Sequence, residues 1–282
     1  MLERKISVII PVYNGASVIE EAIRSALALS VVAEVICVND GSKDNTRELI
    51  ESLSDHRIKL LNVENGGPAK ARNIGAGYAS HQYLAFLDAD DIFMPRRFDK
   101  QLTEMIGGGY RASICSVIVA TMDNVILKIF KKSSYAKLPP ALKRLAIYSQ
   151  FLIMNTPTLI VRKDLFEEIG GFDVDLKLRE DHKLLIDILQ REDIYIEPTS
   201  PVMRRMFEES STSNLSIERL INGNKRFLNS VCPSYLELLS ANLSLFHVCM
   251  RRFGLFKTVS ARKSFLGLMF LYPIYVAFKV AL

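Results

Sequence analysis

Short apolar runs alternate with helical patterns through the first hundred residues. Ile6-Ser7-Val8-Ile9-Ile10 has the nearly continuous apolar character of a strand buried on both faces. Beyond it, Val18, Ile19, Ala22, Ile23, Ala26 and Leu27 share one helical face, and Ser17 with Glu20 has the spacing of a capping box. The pattern then predicts a strand over residues 34–38, a helix over 46–53, a strand over 58–62, a helix over 68–79 and a strand over 83–87. Strands and helices alternating at this pitch imply βαβ units, an α/β fold and a mostly parallel central sheet flanked by helices. Ligands of such a sheet bind beyond the carboxyl ends of its strands.

After Gly107-Gly108-Gly109 the pattern changes. Residues 112–120 and 125–130, joined near Asp123-Asn124, read as a hairpin. A short strand, a turn at Gly170-Gly171 and a helix over 181–190 follow, and from Asn214 onward the pattern is helical. The polar residues fall where a ligand needs them. Tyr13-Asn14, Asn39-Asp40-Gly41-Ser42 and Asp88-Ala89-Asp90-Asp91 each directly follow an apolar strand, so a parallel sheet brings all three to one edge.

Composition is that of an ordinary folded protein, and the net charge is +5. The charge is uneven: from Lys225 on there are eight Lys/Arg against one acid, Glu237. Within this basic stretch, residues 265–278 carry no charge, but the run is shorter than the ~20 residues that span a bilayer. Basic residues leading into an apolar segment fit a helix lying in the membrane interface, with packing on protein or on a second copy as the competing reading. Nucleic acid is not expected as a partner, because the tail lacks a polar basic stripe. The four cysteines are far apart and have no metal or disulfide spacing. MLERKISVII runs directly into an apolar strand without a secretory leader, so the expected compartment is the cytoplasm, at the inner face of the membrane.

Asp88-x-Asp90 at a strand's end is the central chemical signal, since clustered carboxylates hold hard divalent cations. Such a cation neutralises a departing diphosphate. Asp40 can accept hydrogen bonds from a ribose or a base, and Tyr13 can pack or offer a flat face to a base. The glycine turn of Asn65-Gly66-Gly67-Pro68, ahead of a helix that carries Arg72 and Asn73, is a candidate anion site.

The ordered set SVIIPVYN, VNDGS-x-D-x-T, GGPAKARNIG, FLDADD, GGFD and LREDHKLL resembles the family 2 glycosyltransferases of the GT-A fold. It covers roughly residues 5–215, with six motifs in the family's order. The resemblance implies that Pro11, Tyr13, Asp40 and Arg72, with Asn14 and Ala89 alongside, bind the nucleotide-sugar. It implies that Asp88 approaches the ribose, and that Asp90, with Asp91, binds Mg²⁺ or Mn²⁺. Asp181 would be the general base of an inverting transfer, paired with Glu180, and the turn at Gly171-Phe172-Asp173 would flank the acceptor.

The stretch beginning Met203-Arg204-Arg205-Met206-Phe207 resembles the family's closing loop, although Phe207 stands where many members have a His. Arg204, Arg205 and His182 are the candidate diphosphate or acceptor contacts. The implied partners are a nucleotide-diphosphate sugar, with uridine favoured, and a glycan or lipid-linked acceptor in cell-surface polysaccharide synthesis. The expected domains are 1–213, divided near 106 into nucleotide and acceptor halves, and a helical extension over 214–282. A pyrophosphorylase would need GxGTR and a dehydrogenase GxGxxG after the first strand, and PVYNGAS stands there instead. A catalytically silent sugar-nucleotide-binding subunit is the remaining alternative.

Overall fold

β1 (Ile6–Val12) is buried along its whole length, as its apolar run requires. Its side chains divide between two cores: Val8 and Ile10 face one side of the sheet, and Ile9 faces the other. In the computed structural model, residues 4–148, 152, 155–206 and 217–231 are described. α1 (Ile19–Leu27) buries Ile19, Ala22, Ile23 and Ala26, the face read from the sequence. It begins later than the capping box implies. Val18 is the N-cap, its apolar side chain cannot cap, and the Gly15 carbonyl accepts the amides of Val18 and Ile19 instead.

β2 (Val32–Asp40), α2 (Thr46–Ser52), β3 (Ile58–Val63), α3 (Pro68–Tyr78) and β4 (Tyr83–Phe86) follow in the expected order. Pro68 opens α3 at a position where its missing N–H costs nothing. β5 (Ile92–Phe93), α4 (Asp99–Gly107), β6 (Ala112–Thr121) and β7 (Ile126–Phe130) complete the middle of the chain. α5 (Pro140–Tyr148), β8 (Leu159–Arg162), α6 (Lys163–Glu168), α7 (Glu180–Arg191), β9 (Tyr195–Met206) and α8 (Ile217–Val231) close it.

The strands form one sheet in the order β3-β2-β1-β4-β8-β6-β9-β5, with β7 paired to β6. The first four pair in parallel. Beyond β4 the sheet is mixed: β8 runs antiparallel to both β4 and β6, while β6 and β9 are parallel. Helices α3, α5, α6 and α7 cover one face, and α1, α2 and α4 cover the other. The C-terminal apolar run at 265–278 and Phe207 lie outside the described residues. Among the described residues no helix is long and apolar enough to cross a membrane.

α3 lies unusually close to the sheet at Gly75. A Cβ there would sit 2.5 Å from Ile9 Cγ2 and 3.0 Å from Val38 Cγ2, both on stiff β-branched side chains. Gly75→Ala gains about 1 kcal/mol of helix propensity. It loses roughly 1–3 kcal/mol to overpacking, and the second effect should win. The expected result is a lower urea midpoint at unchanged slope, and a raised midpoint would mean that α3 lifts off the sheet without cost.

Candidate active site

The loops after β1, β2 and β4 meet at one edge of the sheet, and hydrogen bonds lace the first two together. Asn14, with φ of 50°, donates its amide to Ser42 Oγ (2.9 Å) and accepts the Lys43 amide on Oδ1 (2.7 Å). The Gly15 amide donates to Thr46 Oγ1 (2.9 Å), and that of Ala16 to Asp44 (3.2 Å). Motifs some thirty residues apart thus form one rigid wall. Asp40 fixes the next segment, since its two carboxylate oxygens accept the amides of Gly66 (2.8 Å) and Gly67 (2.9 Å). That pairing holds the glycine turn, with Gly67 at φ of 88°, beneath the start of α3.

These loops enclose an open cleft of about 620 Å³. Pro11, Tyr13, Asn14, Asp40, Arg72, Asp88, Ala89, Asp90, Asp91, Arg204 and Arg205 all line it, together with Met206, which the sequence did not single out. Tyr13 is half exposed on this wall. The sheet edge therefore brings together the residues proposed for the nucleotide-sugar and the metal.

Glu180, Asp181 and His182 lie at the other end of Arg72. Arg72 is buried and donates to Asp88 Oδ1 (2.7 Å) and Glu180 Oε1 (3.2 Å), with its guanidinium 5.3 Å from the Phe172 ring centroid. Burial alone would lower the Arg72 pKa, but the charges of Asp88 and Glu180 reverse this and hold it up. The two acids at the start of α7 are pushed apart. Burial, and then the charge of Asp181, raises Glu180. Burial also works to raise Asp181, but the charge and hydrogen bonds of His182 prevail, so Asp181 is held below the usual carboxylate range. Asp181 Oδ1 lies 2.8 Å from both the amide and the Nδ1 of His182.

The aspartate turn is electrostatically loaded. Burial, then the charge of Asp88, raises Asp90; Asp91 is raised well above normal by burial, then by Asp88 and Asp90. Asp91 is 2% exposed and accepts the Arg205 amide (3.0 Å). Arg205 itself is clasped: its Nε donates to the Asp90 carbonyl (2.6 Å) and its Nη1 pairs with Glu21. The half-buried Arg204 lines the cleft beside it. Among the described residues no three His, Cys, Asp or Glu side chains converge as a ready-made metal centre.

Two further residues organise the site. Asn73, next to Arg72, donates to the Phe172 carbonyl (2.8 Å) and accepts its amide (2.8 Å). This clip binds the glycine turn at 170–171 to α3, and a Cβ on Gly171 would lie 2.6 Å from Asn73 Oδ1. Its signal was the Arg-Asn pair inside the GGPAKARNIG motif. Arg179, with φ of 68° just before Glu180, is held by Asn224 and stacks 4.7 Å from the Phe227 ring centroid, so α8 braces the start of α7.

Residues 7–170 match the model of glycosyl transferase family 2. The chain is 31% identical to the succinoglycan biosynthesis protein ExoO of Rhizobium meliloti over 192 residues, covering 65% of this chain but only 55% of that protein. It is 30% identical to WfgD of Escherichia coli, a UDP-Glc:alpha-D-GlcNAc-diphosphoundecaprenol beta-1,3-glucosyltransferase, covering 67% of this chain and 71% of the relative. In fold it is similar to S. aureus TarS 1-349 in complex with UDP-GlcNAc, at TM-score 0.67 and 21% identity, over 89% of this chain and 73% of that one.

Proposed function

The chain belongs to glycosyl transferase family 2 and is a glycosyltransferase, and from this we propose that it moves a sugar from a UDP-sugar to a hydroxyl of a glycan or lipid-linked acceptor, with inversion, in cell-surface polysaccharide assembly. The observation that carries the reading is the Arg72 bridge. One buried guanidinium joins Asp88, in the donor cleft, to Glu180, next to Asp181. Donor and base are thereby held at opposite ends of one rigid link. The UDP donor and diphospholipid-linked acceptor named for WfgD, and the UDP-GlcNAc bound to TarS, support the substrate class.

In this mechanism Tyr13 packs on the base, and Asp88 faces the ribose. Arg204 meets the diphosphate. Asp181, held ionised by His182, takes the acceptor proton as the new bond forms opposite the leaving group. Asp90, with Asp91 beside it, fits Mg²⁺ or Mn²⁺, because burial and then the charge of Asp88 raise Asp90, and a cation would relieve both. Two carboxylates suit an ion that takes its remaining ligands from phosphate and water. When bound, the ion neutralises charge on the leaving diphosphate.

The test is a panel of UDP-, GDP- and dTDP-sugars, with Mn²⁺ or Mg²⁺, read by hydrolysis and transfer. UDP-sugars should react. EDTA should abolish turnover, and Asp90→Ala should lower it by at least about a hundredfold, the scale of a lost electrostatic stabiliser. Full activity of Asp90→Ala in the presence of EDTA would remove the metal from the mechanism.

A further inference from the structure

β7 is an edge strand with an unusual surface. Among the described residues it pairs only with β6. A half-buried strand hides every second side chain, yet Val125, Ile126 and Leu127 are 60%, 53% and 58% exposed in succession, and Ile129 is 49% exposed. Both faces of the strand thus present apolar groups to solvent, a density that single scattered surface residues do not reach. Lys128, Lys131 and Lys137 are exposed in and just after this strand, while Lys132 is buried and bonds to Thr158. Asp123, at the turn, is the one acid of the hairpin, and no Asp or Glu occurs from 124 to 142.

The register places this patch beside the cleft. β6 runs parallel to β9, pairing Val119 with Arg204 and Thr121 with Met206. The turn that follows Thr121 therefore projects from the same end of the sheet as the cleft-lining Arg204 and Met206. Met206 is itself exposed.

We propose that the β6–β7 hairpin is a membrane-docking element: Val125, Ile126, Leu127 and Ile129 enter the interface of an anionic bilayer, and Lys128, Lys131 and Lys137 meet its headgroups. Charge complementarity selects this occupant. A second copy pairing along the same edge would bring two sets of lysines together with no facing acid, and edge lysines oppose strand-to-strand association. Apolar residues on both faces suit immersion in lipid rather than packing against one flat partner. The docked hairpin presents the cleft mouth to the bilayer surface. The hairpin is a different surface from the donor site, and its docking does not depend on which sugar is transferred.

The chain contains no Trp, so Leu127→Trp in the full-length protein creates a single emitter at the patch. Tyr78→Trp, on the exposed last residue of α3, serves as the control. On vesicles of phosphatidylcholine with phosphatidylglycerol, emission from the hairpin should move to shorter wavelength, and that from the control should not. Lys128→Gln with Lys131→Gln should weaken partitioning about twentyfold or more, at roughly fivefold per lysine near an anionic surface. Ile126→Ser with Leu127→Ser should weaken it at least about tenfold by removing buried apolar area. Both pairs lie on the surface, so circular dichroism should match the parent.

Failure of the protein to bind these vesicles would overturn the proposal. So would binding with hairpin emission unmoved, which would assign docking to another segment. Hairpin emission already shifted without lipid, in step with protein concentration and dimer mass, would assign the strand to a second copy.

Discussion

Asp181→Asn should lower kcat for sugar transfer by about 10³-fold or more, the upper range for loss of a general base, while UDP affinity stays unchanged. The asparagine keeps an oxygen to accept the His182 amide, which Asp181 Oδ1 accepts at 2.8 Å in the structure, so the start of α7 should survive. It loses the charge and the ability to take a proton. Transfer assays with calorimetric titration of UDP separate the two quantities. Lost affinity with little change in kcat would move Asp181 into the donor site. A normal rate would end its role as the base and pass that role to the neighbouring Glu180, whose raised pKa suits a proton acceptor.

Removing Arg72 should have the largest effect on the fold and the site together. Arg72→Met leaves Glu180 largely buried and Asp88 partly buried, and neither retains its cation. Breaking a buried pair from one side costs about 3 kcal/mol or more, because the remaining charge stays desolvated. Urea unfolding should show this loss, and UDP affinity should fall with it. Arg72→Lys keeps a charge, but a point ammonium cannot span two carboxylates as the guanidinium fork does. It should recover part of the stability and less of the binding. If Arg72→Met is as stable as the parent, the bridge does not hold the two halves of the site together.

Much of this could be read in the chain. The strand runs from Ile6 to Leu87 and the helices between them lie within a few residues of their expected places, because each is a local pattern with a fixed period. The capping box was not realised, since Val18 rather than Ser17 is the N-cap and the Gly15 carbonyl, supplied by the turn, accepts the first amides. The antiparallel pairing of β8 with β4 and β6 also had no local signal, because register between strands far apart in sequence is set only by packing.

The candidate residues follow the same division. Their identity was legible in six short motifs, and the sheet's parallel first half explains why Tyr13, Asp40 and Asp88 share an edge. How they are used was not legible. Asp40 carries two backbone amides, Asp91 and Arg205 close a clasp, and Asn73 clips a turn ninety-nine residues away. Each of these bonds joins groups distant in sequence, so no local pattern encodes it.

The sequence by itself determined the alternation of strand and helix, the family, and the set of polar residues at the strand ends, because periodicity and motif spacing are local properties. Only the tertiary structure decided which carboxylates face the cleft, which are consumed in holding it, and that one buried arginine joins Asp88 to Glu180. Those outcomes depend on burial and on distances of a few ångströms between remote segments, which exist only once the chain has folded.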